Sequence, residues 1–219
     1  MCRGHDNSSM KTARNALYIR RGKLSSGLWN VSAFGQDAAA DGTLQHGGDE
    51  PDYEAAWRVS EPAAGLVRVS VGGYLIPSPP ALWYVWVDEP KAAPAATNLV
   101  AFGGDRFAPG TIINRYTFAT AGVSNGDQAG AVRWYPADGQ VHQVYVSTAW
   151  RRKFVASTML YVADAFHQAN GWEGRLHGDG RRTALGQMLV AGLRHPNRAK
   201  QLTEQMPPMD EGDYSAADE

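Results

Sequence analysis

The stretch that decides how this chain reads is Val141-His142-Gln143-Val144-Tyr145-Val146-Ser147-Thr148-Ala149-Trp150-Arg151-Arg152-Lys153-Phe154-Val155-Ala156-Ser157-Thr158-Met159-Leu160. Its first six residues read as a strand. The residues from about Arg151 to Gln168 read as a helix, because Val155, Met159, Val162, Ala163 and Phe166 recur at spacings of three and four and form one apolar stripe. Asn170-Gly171 supplies the helix stop, glycine being free to adopt positive φ. Between strand and helix stand three consecutive cations, Arg151, Arg152 and Lys153. Positive side chains are unfavourable at a helix N-terminus, where the macrodipole already places partial positive charge and the first backbone N–H groups lack acceptors. A bound phosphate or other anion satisfies both demands. A solvated surface cluster is the plainer alternative.

Working outward, Gly130-Ala131-Val132-Arg133-Trp134-Tyr135 reads as a strand that pairs with Val141–Val146 through a tight turn at Pro136–Gly139. After the helix, a short strand is expected around Gly174–His177. A second helix follows from about Thr183 to Leu193, carrying Leu185, Met188, Leu189 and Leu193. Hairpin, helix, strand, helix is an α+β arrangement. Residues 16 to about 135 read mostly as strands and loops. Leu28–Phe34 and, in part, Leu66–Val71 alternate at period two, and Gly72-Gly73 ends the second. Leu82-Trp83-Tyr84-Val85-Trp86-Val87 is a continuous apolar run suited to a central strand. Asp88–Thr97, rich in Pro and Ala, reads as a loop. No internal repeat is evident.

The chain of 219 residues carries a formal charge of −1 and is 43% hydrophobic, enough for one domain with a sizeable core. Near-neutral charge argues against a wholesale nucleic-acid coat. The single cysteine, Cys2, permits no internal disulfide, so a reducing, cytoplasmic setting is expected. No apolar run approaches the roughly 18 residues of a membrane span. Residues 1–14 read as a mobile leader, 15–200 as one domain, and 201–219 as an acidic disordered tail. The seven tryptophans, spread evenly, read as core and sheet packing. There is no P-loop, complete Gly-x-Gly-x-x-Gly, Gly-x-Ser-x-Gly elbow or Cys/His zinc pattern.

The stretch Val144–Leu160 resembles the coenzyme-A-binding motif of the GCN5-related N-acetyltransferase superfamily: a hydrophobic strand, a loop with an aromatic residue, then Arg/Gln-x-x-Gly-x-Gly/Ala opening a helix. Arg151 matches the first motif position and Ala156 the last, while the central glycine position holds Phe154. The likeness runs from about Gly130 to Leu193. It implies a mixed, mostly antiparallel sheet flanked by helices, here with an extended β-rich N-terminal half. It also implies acetyl-CoA, or another acyl-CoA, as co-substrate, transfer to an amine acceptor that is a small molecule or a macromolecule, and no metal. By the same resemblance the cofactor-binding residues are Val144, Tyr145, Val146, Arg151, Arg152, Lys153, Phe154, Val155 and Ala156. The amide of Tyr145 or Val146 would stabilise the oxyanion.

Among the residues themselves, His142 is of the residue type suited to a base or water relay, or is simply an exposed hairpin histidine. Tyr145 suits a general acid or plain packing. Glu173 is a further base candidate. His177-x-Asp179 reads as a structural or solvated pair, and Arg181-Arg182 as exposed or phosphate-reaching. Two other functions fit the same residues: a related catalyst modifying a DNA base, with the cations on phosphates, and a non-catalytic binding or assembly protein.

Overall fold

In this computed structural model, residues 17–23, 29–34, 57–73, 75–193 and 199–207 are described, the first two segments by backbone alone. The expected leader and the tail beyond residue 207 lie outside them. The chain is α+β, with few helices on a mostly antiparallel mixed sheet.

Leu17–Lys23 (β1) and Trp29–Phe34 (β2) form a separate antiparallel hairpin. Seven strands make the main sheet: Trp57–Ala63 (β3), Leu66–Val71 (β4), Leu82–Glu89 (β5), Ala96–Gly103 (β6), Thr111–Asn114 (β7), Gln128–Trp134 (β8) and Val141–Val146 (β9). Their order across the sheet is β3-β4-β7-β5-β6-β8-β9, and only the β5–β7 pairing is parallel. Among the described residues the α-helices are Arg115–Ala119 (α1), Val155–Ala169 (α2) and Ala184–Gly192 (α3).

The sheet is buried on both sides, and strand alternation divides the core accordingly. Leu82 and Tyr84 of β5 join Leu99, Val132 and Trp134 on the side that receives α2, whose stripe Val155, Met159, Val162, Ala163 and Phe166 is wholly buried there. Trp83 and Val85 point the other way, into a smaller cluster with Phe102 and Ile113, against which Phe118 of α1 and Phe107 pack. The central, two-sided burial expected for Leu82–Val87 is what the strand shows. At about 1.5–3 kcal/mol for each fully buried large apolar side chain, these two clusters dominate the folding energy. Trp57, Trp83 and Trp134 are buried within them, so these tryptophans serve packing.

Gly130 lets α2 approach this closely. A Cβ there would lie 2.5 Å from the Tyr145 carbonyl oxygen and 2.8 Å from Met159 Cε.

Several elements differ from expectation. The helix begins at Val155 and not at Arg151, because Arg152 and Phe154 adopt left-handed backbone (φ 60° and 59°) that no α-helix can continue through. The expected strand around Gly174–His177 reduces to one parallel bridge, Gln140 to His177, since Gly174 and Gly180 turn the chain at φ 72° and 98°. Arg181–Arg182 (β10) pairs in parallel with Glu204–Gln205 (β11), so the first residues of the expected disordered tail fold back on the domain. The loop expected at Asp88–Thr97 is shorter, strand pairing persisting to Glu89 and resuming at Ala96. Among the described residues no helix is long and apolar enough to cross a membrane.

Candidate functional site

The edge strand β9 carries the site. Ser147 N–H donates to Ala129 O at 3.0 Å, which makes that pair hydrogen-bonded. Antiparallel alternation then turns the peptide groups of Tyr145 and Gln143 towards β8, and those of Val144 and Val146 outward to the open edge. At the start of β9 the open edge is occupied. Val141 N–H donates to His177 O (2.8 Å) and His177 N–H to Gly139 O (3.0 Å). Past that single bridge the returning chain turns away, towards Ala199 and β11.

A cleft of about 210 Å³ lies where the two chains part. Leu160, Tyr161 and Asp164 of α2 form its floor, Val141 to Val144 one wall, Leu176 to Asp179 the other, and Leu189, Val190 and Leu193 its cover. The apolar lining is interrupted by His142, Gln143 and Asp164 and, along the returning chain, by His177, Asp179, Arg181, Arg182 and Thr183.

The loop after β9 is built as a compact turn. Trp150 N–H donates to Ser147 O (2.9 Å) and Arg151 N–H to Thr148 O (3.3 Å). The Trp150 ring lies flush on Gly103, where a Cβ would meet it at 2.5 Å. Arg151 Nε donates to Val146 O at 3.4 Å, across the open edge. Lys153 Nζ donates to Ala149 O at 2.9 Å and sits 5.5 Å from the Trp150 ring centre. Arg152 is exposed. Phe154 occupies the N-cap position with 60% of its surface exposed and no side-chain capping bond. The first turn of α2 contains no acidic residue. The cations and the first-turn amides of Val155, Ala156 and Ser157 together make a positively polarised helix terminus.

The expected site residues are thus brought together only in part. Val144 lines the cleft, and the Val146 backbone faces the open edge beside the Arg151–Ala156 loop. His142 lines the cleft while remaining exposed, its ring 5.6 Å from that of Tyr135. Tyr145 stands apart. Its amide faces β8, it is absent from the cleft lining, and its side chain, 38% exposed, alternates to the side of the sheet away from α2. Of the two amides expected as oxyanion donors, that of Tyr145 faces β8 and that of Val146 is turned outward.

Asp179 accepts from Arg181 through both its backbone N–H (2.9 Å) and its guanidinium (3.1 Å). Burial pushes its carboxyl up, but these hydrogen bonds outweigh that and hold it below the usual carboxylate range. Arg182 donates to Gln187 (2.7 Å) and to Lys200 O (3.0 Å), so it is committed to the cleft wall. Glu173 is exposed, with its carbonyl bonded by His167. Among the described residues no cluster of three or more His, Cys, Asp or Glu side chains could hold a metal.

Two further residues secure the cleft, and sequence reasoning misses both. Asp164, only 2% exposed, accepts from Arg175 Nε (3.1 Å), Arg175 Nη2 (2.5 Å) and Leu176 N–H (3.1 Å). His167, fully buried, accepts from Trp134 Nε1 at Nδ1 (3.2 Å) and donates from Nε2 to Glu173 O (2.7 Å). Burial pushes its pKa below the ordinary imidazole value, against the opposing effect of the Glu173 carbonyl. Their sequence signal is an acid and a histidine inside an otherwise apolar helical run.

No protein-family model matches the chain, and neither a curated protein nor a solved structure matches it.

Proposed function

We propose that this protein is an acyl-CoA-dependent N-acyltransferase that transfers the acyl group directly to an amine. One observation carries the reading: β9 leaves its parallel neighbour after a single bridge, beside an apolar cleft, and runs on into a positively polarised helix N-terminus. An extended, amide-bearing thioester arm suits such an edge, because the outward peptide group of Val144 and the outward N–H of Val146 can pair with it as a strand would, the Val146 carbonyl being taken by Arg151. The Val155–Ser157 amides, with Arg152 beside them, suit the diphosphate at the far end of the arm.

In the transfer, the acceptor nitrogen attacks the thioester carbonyl carbon, the C–S bond breaks, and the thiolate leaves. The Val146 amide is the donor for the transient oxyanion. His142, at the cleft wall, takes the proton lost by the amine directly or through water. The leaving thiolate is protonated by water, since Tyr145 is turned away and α3 contains no tyrosine.

Calorimetric titration of acetyl-CoA tests this reading. Micromolar binding that weakens about tenfold or more in Arg152→Ala supports it. Absence of binding both in the wild type and in Phe154→Gly overturns it.

Modification of a DNA base is the second reading, favoured by the exposed Phe154 ring among three cations, a pattern that suits stacking on a base with phosphate contacts. Salt-dependent DNA binding in the absence of acetyl-CoA binding would select it.

A further inference from the structure

The segment that closes one side of the cleft, residues 170–177, is held by a histidine whose two ring nitrogens have opposite tasks. His167 Nδ1 is unprotonated, because it accepts from the indole N–H of Trp134 at 3.2 Å. Its Nε2 carries the proton and donates to the Glu173 carbonyl at 2.7 Å. This clasp ties three elements at one point: the C-terminal half of α2, the end of β8, and the returning chain. Trp172 seals it, its ring edge-on to His167 at 5.5 Å and close to Phe166 at 5.9 Å. Neighbouring bonds reinforce it, Gln168 Nε2 donating to Gly174 O (2.7 Å) and Leu176 N–H to Asp164 (3.1 Å).

A second proton on this ring has nowhere to go. It would place an Nδ1–H against the Trp134 N–H, two donors facing each other in a site that water does not reach. It would also create a buried cation, which is costly unless paired. The charged groups acting on the ring are Asp164 on α2, Arg175 on the returning chain and Asp138 in the turn between β8 and β9. Asp164 is already neutralised by Arg175, and Asp138 is exposed and bonds Gln140 N–H. Trp134 and Trp172, the other groups packed on the ring, are uncharged.

We propose that His167 is an acid-sensitive latch, whose protonation inside the Trp134–Glu173 clasp frees the 170–177 segment and with it one wall of the cleft. The latch does not depend on what the cleft binds. It works on the position of Leu176 and His177, and so on whether the cleft keeps its shape.

The sign follows from linkage. The folded ring resists protonation more than the unfolded chain does, so the clasp is fully effective above the ordinary imidazole value of about 6.5 and weakens as pH falls below it. With the ring charged in the opened state, the opening equilibrium rises about tenfold for each further pH unit, until the clasped ring itself takes up the proton.

Hydrogen exchange of the Leu176 and His177 amides, corrected for intrinsic rates, is measured between pH 8 and pH 5 alongside far-UV and near-UV circular dichroism. In the wild type, protection of these two amides falls steeply below about pH 6.5 and the near-UV tryptophan signal changes, while the far-UV signal holds. In His167→Gln, whose amide can serve both Trp134 and Glu173 but does not titrate, both signals stay flat over the same range. A wild-type protein that changes only with global unfolding, or a Gln variant that reproduces the transition, overturns the proposal. Nitrogen NMR of the wild-type imidazole is an independent test should the variant fold poorly: the Nε2–H tautomer with a depressed pKa supports the latch, and an Nδ1–H tautomer or an ordinary pKa sinks it.

Discussion

Asp164 and Arg175 meet in a two-pronged ion pair, Nε to Oδ1 at 3.1 Å and Nη2 to Oδ2 at 2.5 Å, on the inner surface of α2. The carboxylate is almost fully buried while the guanidinium stacks 5.0 Å from the Trp57 ring centre. The pair thus links helix, returning chain and the outermost strand of the sheet, β3. Removing one partner leaves the other charge without its counter-ion in a desolvated place.

Asp164→Asn is therefore expected to lose about 3 kcal/mol of stability by urea denaturation. The Asp164→Leu/Arg175→Met double variant recovers most of this, because no unpaired charge remains. A double variant as unstable as the single one would show that the Leu176 amide, not the ion pair, carries the effect.

Phe154 holds a backbone conformation that suits glycine and leaves its ring mostly in solvent. Phe154→Gly relieves that strain and gives up little packing. Its stability is expected to rise by about 0.5–1 kcal/mol, the low end of the usual cost of such a conformation after the entropy of glycine is set against it. A thermal melt checks this, and a clear loss would mean that the ring is anchored by contacts that its exposure conceals.

Gly130→Ala should cost about 1–3 kcal/mol, since the new methyl meets a backbone carbonyl as well as the flexible end of Met159. The carbonyl belongs to Tyr145, so β9 must shift along with α2. Calorimetric melting measures the cost. A Gly130→Ala/Met159→Ala pair that is no better than Gly130→Ala alone would assign it to the strand.

Burial pushes the Tyr84 hydroxyl above the alkaline range in which free tyrosine ionises. Its folded pKa exceeds the unfolded value of about 10, so its contribution is complete below that pH and is lost as pH rises above it. Base-induced unfolding is expected to set in above about pH 10, and Tyr84→Phe should move its midpoint upward. Absorbance of tyrosinate followed with circular dichroism reads both events.

Where one element's residues suffice, the sequence can be read closely. The Val141–Val146 strand, the turn before it and the apolar stripe of α2 are local patterns, and the structure keeps them. The start of α2 is not visible in the same way, because nothing in the residue types Arg152 and Phe154 announces left-handed backbone. β7 escapes such reading as well. It is four residues long, and it inserts between two strands that precede it in the chain, a placement no periodicity encodes. The cleft itself is legible only as strand, loop and helix. The roles of Asp164 and His167 depend on partners six to twelve residues downstream and on Trp134, 33 residues before His167. The orientation of Tyr145 requires the register of β9 on β8, which a single hydrogen-bonded pair decides.

That short β7 has a mechanical meaning. It meets β4 at two residue pairs and β5 at three, and among the described strands it is the sole join between the β3–β4 hairpin and the rest of the sheet. The sheet is in effect two plates with a narrow seam, and α2, packed on β3 and β4 as well as β8, lies over that seam like a splint. Pulled or warmed, such a body should part along β7 first, with the plate of β5, β6, β8 and β9 surviving as the last ordered piece.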